Sequence, residues 1–494
     1  MTHRSRMPAM HRPAIAPIIA LLTATPATAQ IAAPERQAIL ADVDARSPDL
    51  AKTALAIWNA AEVGYQETKS SALLQAELKR AGFTVTPGVA GMPTAFVASF
   101  KRGGKGPVIG ILAEYDALPG LAQRADTKRD PIPGQAAGHG CGHNIFGAAS
   151  VTAAIAVKDW MVANAIDGEV RIYGSPAEEG GSGKVYLVRA GLFNDVDAVL
   201  HWHPSDSNGV STGASQANIS GKFRFHGVSA HASAAPDKGR SALDGVEVMN
   251  VAVNYLREHI PMKTRIHYVI TNGGEAPNVV PDFAESYYYV RHTDPQVVRD
   301  VMARVQKAAE GAALATGTTS EFEATGGVYS MLASETLAKV MDANLHAVGG
   351  PRWTAEETAW AGRLQPTLPT QRALDSVSAV APISDGDGGG STDVADVSWV
   401  VPTIGLGAAT WVPGTPAHSW QAVAASGMSI GAKGGTVAAK TIALTAADLM
   451  RSPQTLTEAK AELNRRRGHG FTYKAMLGDR KPPLDYRKTA TPAS

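Results

Sequence analysis

Gly138-His139-Gly140-Cys141-Gly142-His143-Asn144 places a thiol and two imidazoles within five residues, separated by glycines that let the backbone bend tightly around an ion. A cysteine flanked by histidines in a glycine loop ahead of a helical run is hard to explain as core packing; it points to a bound metal. Ser175-Pro176-Ala177-Glu178-Glu179-Gly180-Gly181 adds adjacent carboxylates, which repel unless a cation compensates one of them. One metal ligand and one general base is the division of labour that makes chemical sense. Glu114-Tyr115-Asp116 presents two carboxylates to one face of a strand end, so that one can bind metal while the other orients a neighbour. His201-Trp202-His203-Pro204 and Pro416-Ala417-His418-Ser419-Trp420 complete a mixed nitrogen, oxygen and sulfur donor set. Such a set suits zinc, manganese or cobalt rather than calcium.

The elements that must position these residues read as α/β. Residues 33–80 carry apolar side chains at helical spacing, and Gly82 stops the pattern before Phe83-Thr84-Val85 starts a strand-like one. Val108 to Leu112 is a wholly apolar run that delivers Glu114 and Asp116 to its C-terminal edge, where open α/β sheets build their sites. A helical run at 151–162 and strands at 169–174 and 196–200 continue the alternation, which predicts a mostly parallel sheet covered by helices. The pattern then changes. Strand-like alternation at 222–226, 266–271 and 285–290, with helices at 241–259 and 295–315, reads as a βαββα insertion with a half-exposed antiparallel sheet. Beyond about residue 330 the α/β pattern returns, with a buried strand at 402–407 and a long helix at 431–450. Gly386 to Gly390 reads as a loop, and 351–387 carries no clear strand or helix signal.

The expected organisation is therefore a signal peptide at 1–29, a catalytic domain at 30–216 and 329–460, an inserted lid or dimerisation domain at 217–328, and a C-terminal tail at 461–494. The signal rests on basic Arg4, Arg6 and Arg12, an apolar run from Ala14 to Leu22 and the Ala27-Thr28-Ala29 cleavage pattern; it predicts a periplasmic or secreted protein. No later stretch reads as membrane-spanning. The single cysteine, Cys141, allows no internal disulfide, so stability must come from the core. With 46 basic against 45 acidic residues the net charge is +1, which argues against nucleic acid as a partner. The basic residues from Arg465 onward read as a solvated, partly disordered end.

Eight segments, GILAEYDALPG, GHGCGHN, SPAEEGG, VDAVLHWHP, HGVSAHASAAPDKGRSALDGVEVMN, GGEAPNVVPD, GGGSTDVADVSWVVPT and PAHSW, run in order through residues 35 to 450. In them the chain resembles the M20 metallopeptidase superfamily, and within it the subfamily D amidohydrolases of the aminobenzoyl-glutamate hydrolase B-subunit type. The resemblance implies a catalytic domain that binds two divalent ions per subunit (zinc, manganese or cobalt), held by Cys141, His143, Glu179, His203 and His418. It implies Glu178 as general base and Asp116 as a catalytic residue that orients a ligand or holds the local charge balance. Glu114 stands where many relatives carry a metal-binding histidine, and His201 where a small residue is usual, so both roles stay open. His231, Asn278 and Arg291 match positions that contact substrate in relatives, His231 by reaching into a partner subunit's site. The implied reaction is hydrolysis of the amide bond of small N-acyl or N-aroyl amino acids by a metal-activated water, in a homodimer or a larger or hetero-oligomer. A small-dipeptide peptidase or a hydrolase of a xenobiotic or toxin amide would use the same machinery. A non-enzymatic binding protein of the same fold would be expected to have lost ligands, and every expected one is present.

Overall fold

The computed structural model describes Met1 and residues 30–487, so the signal read in residues 1–29 lies outside the described residues, Met1 aside. In chain order the strands are β1 (Thr84–Pro87), β2 (Phe96–Arg102), β3 (Val108–Ala113), β4 (Leu118–Pro119), β5 (Ala137–Gly138), β6 (Gly168–Gly174), β7 (Ala198–Ser205), β8 (Gly209–Val210), β9 (Ala217–His226), β10 (Arg265–Asn272), β11 (Phe283–His292), β12 (Thr319–Val328) and β13 (Thr403–Ala409).

A seven-stranded sheet, ordered β1-β2-β6-β3-β7-β13-β8, carries the larger domain. Its central ladders β6/β3, β3/β7 and β7/β13 are parallel, while β1/β2, β2/β6 and β13/β8 are antiparallel. The sheet is therefore parallel at its centre, as expected, and mixed overall, with the antiparallel strands toward its two edges. Buried apolar runs identify strands but do not encode the direction of their neighbours. Alternate side chains of β3 enter different cores: Ile109 and Ile111 pack on one face, Leu112 on the other.

The helices Ala33–Ala60, His143–Ala163 and Ser429–Arg451 cover the first face. The middle one is long and apolar enough by composition to cross a membrane, although 83% of its most apolar window is buried. It is apolar nearly all round because it is sandwiched between the sheet and two other helices.

The inserted domain is a four-stranded antiparallel sheet, β10-β11-β9-β12, with the helices Ala242–Leu256 and Pro295–Thr316 on one face. The insertion is thus βαββαβ, one strand longer than the sequence pattern predicts. Period-two alternation sends Ile219, Phe223, Tyr288 and Val290 into this domain's core and leaves Asn218, Ser220, Tyr289 and Arg291 on the polar face.

Two stretches differ from expectation. Residues 351–387 contain the helix Ala355–Leu364, opened by a capping box in which Thr354 and Glu357 satisfy each other's backbone donors. The expected solvated end is packed: the helix Pro453–Arg467 runs past residue 461, and Met476 and Leu477 beyond it are buried. Several of its basic residues donate to protein carbonyls, Arg466 to Ala333, Arg467 to Trp399 and Arg480 to Thr325, the last in the inserted domain.

Candidate metal centre

The donors converge at the C-terminal ends of the central strands, where parallel sheets open a crevice. β3 delivers Glu114 and Asp116, β6 leads into Ser175–Ser182, β7 carries His203, and the β4/β5 pairing pins the glycine loop that carries Cys141. Two groups of potential ligand atoms form there. Cys141, His143 and His203 make one; Cys141, Glu179 and His418 make the other, with the atoms of each group within 4.8 Å of one another. Cys141 belongs to both, so its sulfur stands between two potential ion positions. Glu114, His143 and Glu178 form a third such group beside the first.

The His203 tautomer suits metal binding. His203 Nδ1 lies 2.8 Å from the Pro204 carbonyl, which only accepts, so Nδ1 carries the proton and Nε2 keeps its lone pair. His143 Nδ1 lies 2.9 Å from Asp116 Oδ1, while its Nε2 is 3.0 Å from Glu114 Oε2. The other Asp116 oxygen accepts the Glu179 backbone N–H at 3.0 Å. Asp116 thereby orients one residue of each candidate ligand group, as a carboxylate behind metal ligands does.

Whether the residues fit divalent ions can be tested on their unpaired atoms. His143 Nε2, Glu114 Oε2 and Glu179 Oε1 are buried without a well-aligned hydrogen bond: the first two face each other at 3.0 Å and the third faces His418 Nε2 at 3.2 Å, contacts between candidate ligands that a cation would replace. Burial pushes the Cys141 thiol up, against the opposing pull of His143, so a thiolate there needs a cation beside it. Cys141 also lies just ahead of the N-terminus of the helix His143–Ala163, whose dipole favours an anion. The donor set and its orphaned atoms fit two borderline divalent ions.

Charge is balanced underneath. Lys184, fully buried, lies 2.7 Å from both Glu114 and Asp393 and donates its backbone N–H to Asp393 as well. Burial would raise the Glu114 carboxyl, but Lys184 and then His143 hold it below the ordinary carboxylate range. Burial pushes Glu178 well above that range, reinforced by Glu114, Glu179 and Asp393.

Glu178 and Glu179 sit in a turn with left-handed backbone at Ala177 (φ 57°), Gly180 (φ 92°) and Ser182 (φ 58°). Such non-glycine conformations cost on the order of 1–3 kcal/mol each and persist only where the surroundings dictate them. Here the buried Glu67 accepts the Ala177 N–H at 2.8 Å, and Tyr65 donates to the Gly181 carbonyl at 2.7 Å. His418 (φ 59°) is likewise held, its N–H donating to the Gly140 carbonyl at 2.9 Å.

A cavity of 560 Å³ opens over the donors, lined by Cys141, Glu178, Glu179, His203 and His418 on one side and by Asn218, Tyr289 and Arg291 of the inserted domain on the other. Of the three residues matched to substrate contacts, only Arg291 lines it. His231 and Asn278 are exposed on the inserted domain and do not. His139, although part of the glycine loop, turns away and meets the Ile57 carbonyl at 3.1 Å. His201 stays outside the ligand groups; its ring packs against Gly405, and burial pushes it down to about 4. Lys184, Asp393, Glu67 and Tyr65 join the site without having been singled out by their sequence context. The GGGSTD run does mark the loop that carries Asp393, but a lysine in an apolar helix gives no such signal.

Residues 214–316 match the peptidase dimerisation domain family. The chain is 42% identical over 435 residues to the B subunit of p-aminobenzoyl-glutamate hydrolase from Escherichia coli, covering 82% of this chain and 90% of that one. It is 29% identical to the Xaa-Arg dipeptidase of Mus musculus, covering 85% and 90%. Among solved structures it resembles a dinuclear metal binding peptidase from the M20 family of Bacillus subtilis (TM-score 0.57, 19% identity, 83% and 99% covered). It also resembles an aminobenzoyl-glutamate utilization protein from Klebsiella pneumoniae (TM-score 0.55, 18% identity, 80% and 96% covered). At those identities the two structures speak for the fold alone.

Proposed function

The chain belongs to the M20 peptidase family, and from that premise we propose that it hydrolyses the amide bond of small N-aroyl or N-acyl amino acids of the p-aminobenzoyl-glutamate kind. The observation that carries this reading is that one cavity holds both the ligand cluster and a guanidinium without a carboxylate partner. Arg291 makes no ion pair among the described residues, its Nε is buried and unpartnered, and its guanidinium donates a long hydrogen bond to Ser391 Oγ at 3.5 Å. Stacked over Tyr289 at 5.2 Å, it is pre-placed to take an amino-acid carboxylate while the scissile amide lies over the cluster.

Cys141, His143 and His203 would hold one divalent ion, and Cys141, Glu179 and His418 the other. When bound, such ions supply Lewis acidity, lowering the pKa of the attacking water and polarising the amide carbonyl. Glu178, ionised once the cations offset its acidic neighbours, would take a proton from that water and pass it to the departing amine nitrogen. Asp116 keeps His143 and the Glu179 backbone in register throughout. Zinc, manganese and cobalt all suit the donor set.

The substrate class is tested by comparing p-aminobenzoyl-glutamate, N-acetyl amino acids and Xaa-Arg dipeptides as substrates. The reading expects the aroyl and acyl amino acids to give the highest kcat/KM; a preference for free dipeptides would overturn it in favour of a peptidase. Arg291→Met should raise KM for the aroyl amino acid by about 10- to 100-fold, with kcat changed far less. Arg291→Lys should recover only part of this, since a lysine loses the fork.

Assembly and export belong to the same reading. The helix Ala242–Leu256 exposes Val248, Val251 and Tyr255 along one stripe, and the sheet's edge strand β10 exposes Val269 and Ile270. This apolar surface supports a homodimer through the inserted domain, with His231 and Asn278 serving the partner's cavity. Val251→Glu with Tyr255→Glu should yield a monomer in sedimentation with greatly reduced turnover. A fully active monomer would count against the dimer. The basic and apolar start supports export, checked by whether the mature protein begins at Gln30.

A further inference from the structure

The segment after the helix Pro453–Arg467 has no part in the function above, yet it runs from the inserted domain to the metal centre. Met476 packs into the inserted domain's core, and Leu477 packs into the core beneath the glutamate turn. Arg480 donates to the Ala324 and Thr325 carbonyls at the bulge in β12. Further on, Gln66 donates to the Leu484 carbonyl at 2.7 Å. The segment then reaches the turn itself. Tyr486 Oη and Arg487 Nη2 both donate to the Glu179 backbone carbonyl, each at 2.9 Å.

This contact is built into its surroundings. The Arg487 guanidinium stacks over the Tyr486 ring at 5.0 Å, and that ring meets Tyr65 edge-on at 5.7 Å. Gly64 makes room: a methyl group there would collide with the Tyr486 oxygen and with Ala177 Cβ. Because the Glu179 N–H is held by Asp116, its carbonyl is the remaining handle on this residue's backbone. With both peptide groups fixed, so is the direction in which the Glu179 carboxylate leaves the strained turn, and with it the neighbouring Glu178.

We propose that Tyr486 and Arg487 are positioning residues for Glu178 and Glu179, so that the C-terminal segment completes the catalytic centre and ties it to the inserted domain. The inference rests on the reading of Glu178 as base and Glu179 as ligand.

The test uses the full-length protein. In Tyr486→Phe/Arg487→Met, kcat should fall about tenfold or more with KM nearly unchanged, since small misplacements of catalytic groups are expensive. Affinity for zinc, read by competition with a chromophoric chelator, should fall by about the same factor. Arg487→Lys, which keeps a donor, should retain most of both. Tyr486→Phe alone should show an intermediate loss, and it carries the test if the double variant fails to fold. Asp485→Asn, a neighbouring exposed change, should behave as wild type. The proposal is overturned if the variants keep kcat and zinc affinity, or if they lose thermal stability and activity while zinc affinity stays unchanged. A Glu178→Gln protein with full activity would instead remove the underlying reading, whatever the C-terminal variants do.

Discussion

Glu178→Gln should lower kcat by about 10²- to 10⁴-fold, the range for a positioned general base, while bound metal and thermal stability stay at wild-type levels. The substitution keeps the size of the side chain and removes only its ability to take a proton. Glu178 shares a group with Glu114 and His143 but belongs to neither Cys141-centred set, so the ions' ligands are left intact. Glu179→Gln should behave differently, because Glu179 lies in the Cys141 and His418 group: it should lose metal as well as turnover. The pair of variants separates the two adjacent carboxylates by role. Equal metal loss in both, or turnover in Glu178→Gln within about tenfold of wild type, would remove the assignment.

Lys184→Met should destabilise the protein by roughly 3–5 kcal/mol, the usual consequence of removing one partner from a buried charge cluster. The lysine is fully buried, and its ammonium is 2.7 Å from both Glu114 and Asp393. Methionine fills the same space, so the loss is electrostatic and not a cavity. Burial already pushes the Asp393 carboxyl up, with Lys184 opposing, and without the lysine one of the two acids must take a proton or stay charged and unpaired. Urea unfolding of the two proteins measures the difference. A change below about 1 kcal/mol would mean that the acids relax by protonation and that Lys184 does not carry the balance.

The clustering of the candidate ligands was legible because their chemistry is written in short runs. GHGCGHN, SPAEEGG and HWHP each bring unusual residue types together locally, and parallel strands deliver such runs to one sheet edge wherever they lie in the chain. Asp116 could be placed for the same reason. Lys184 could not: its partner Asp393 is 209 residues away, and an isolated lysine in sequence reads as surface. Tyr486 and Arg487 lie more than 300 residues from the carbonyl they hold, in a basic stretch whose composition mimics a solvated tail. Strand β12 escapes the periodicity because its polar Glu321-Phe322-Glu323 start and Gly326-Gly327 end resemble a loop, although pairing with β9 makes it an edge strand. The mixed direction of the large sheet is a matter of connections, which periodicity does not carry.

The most direct test of the proposed two-ion centre is to strip the protein with a chelator and return zinc stepwise, counting bound metal per subunit while following hydrolysis of p-aminobenzoyl-glutamate. With Cys141 common to both ligand groups, turnover should be absent from the stripped protein and level off at two ions per subunit. Cys141→Ala should weaken binding at both positions together. Full turnover in metal-free protein, or a plateau at one ion per subunit with Cys141→Ala binding as wild type, would contradict a shared two-ion centre.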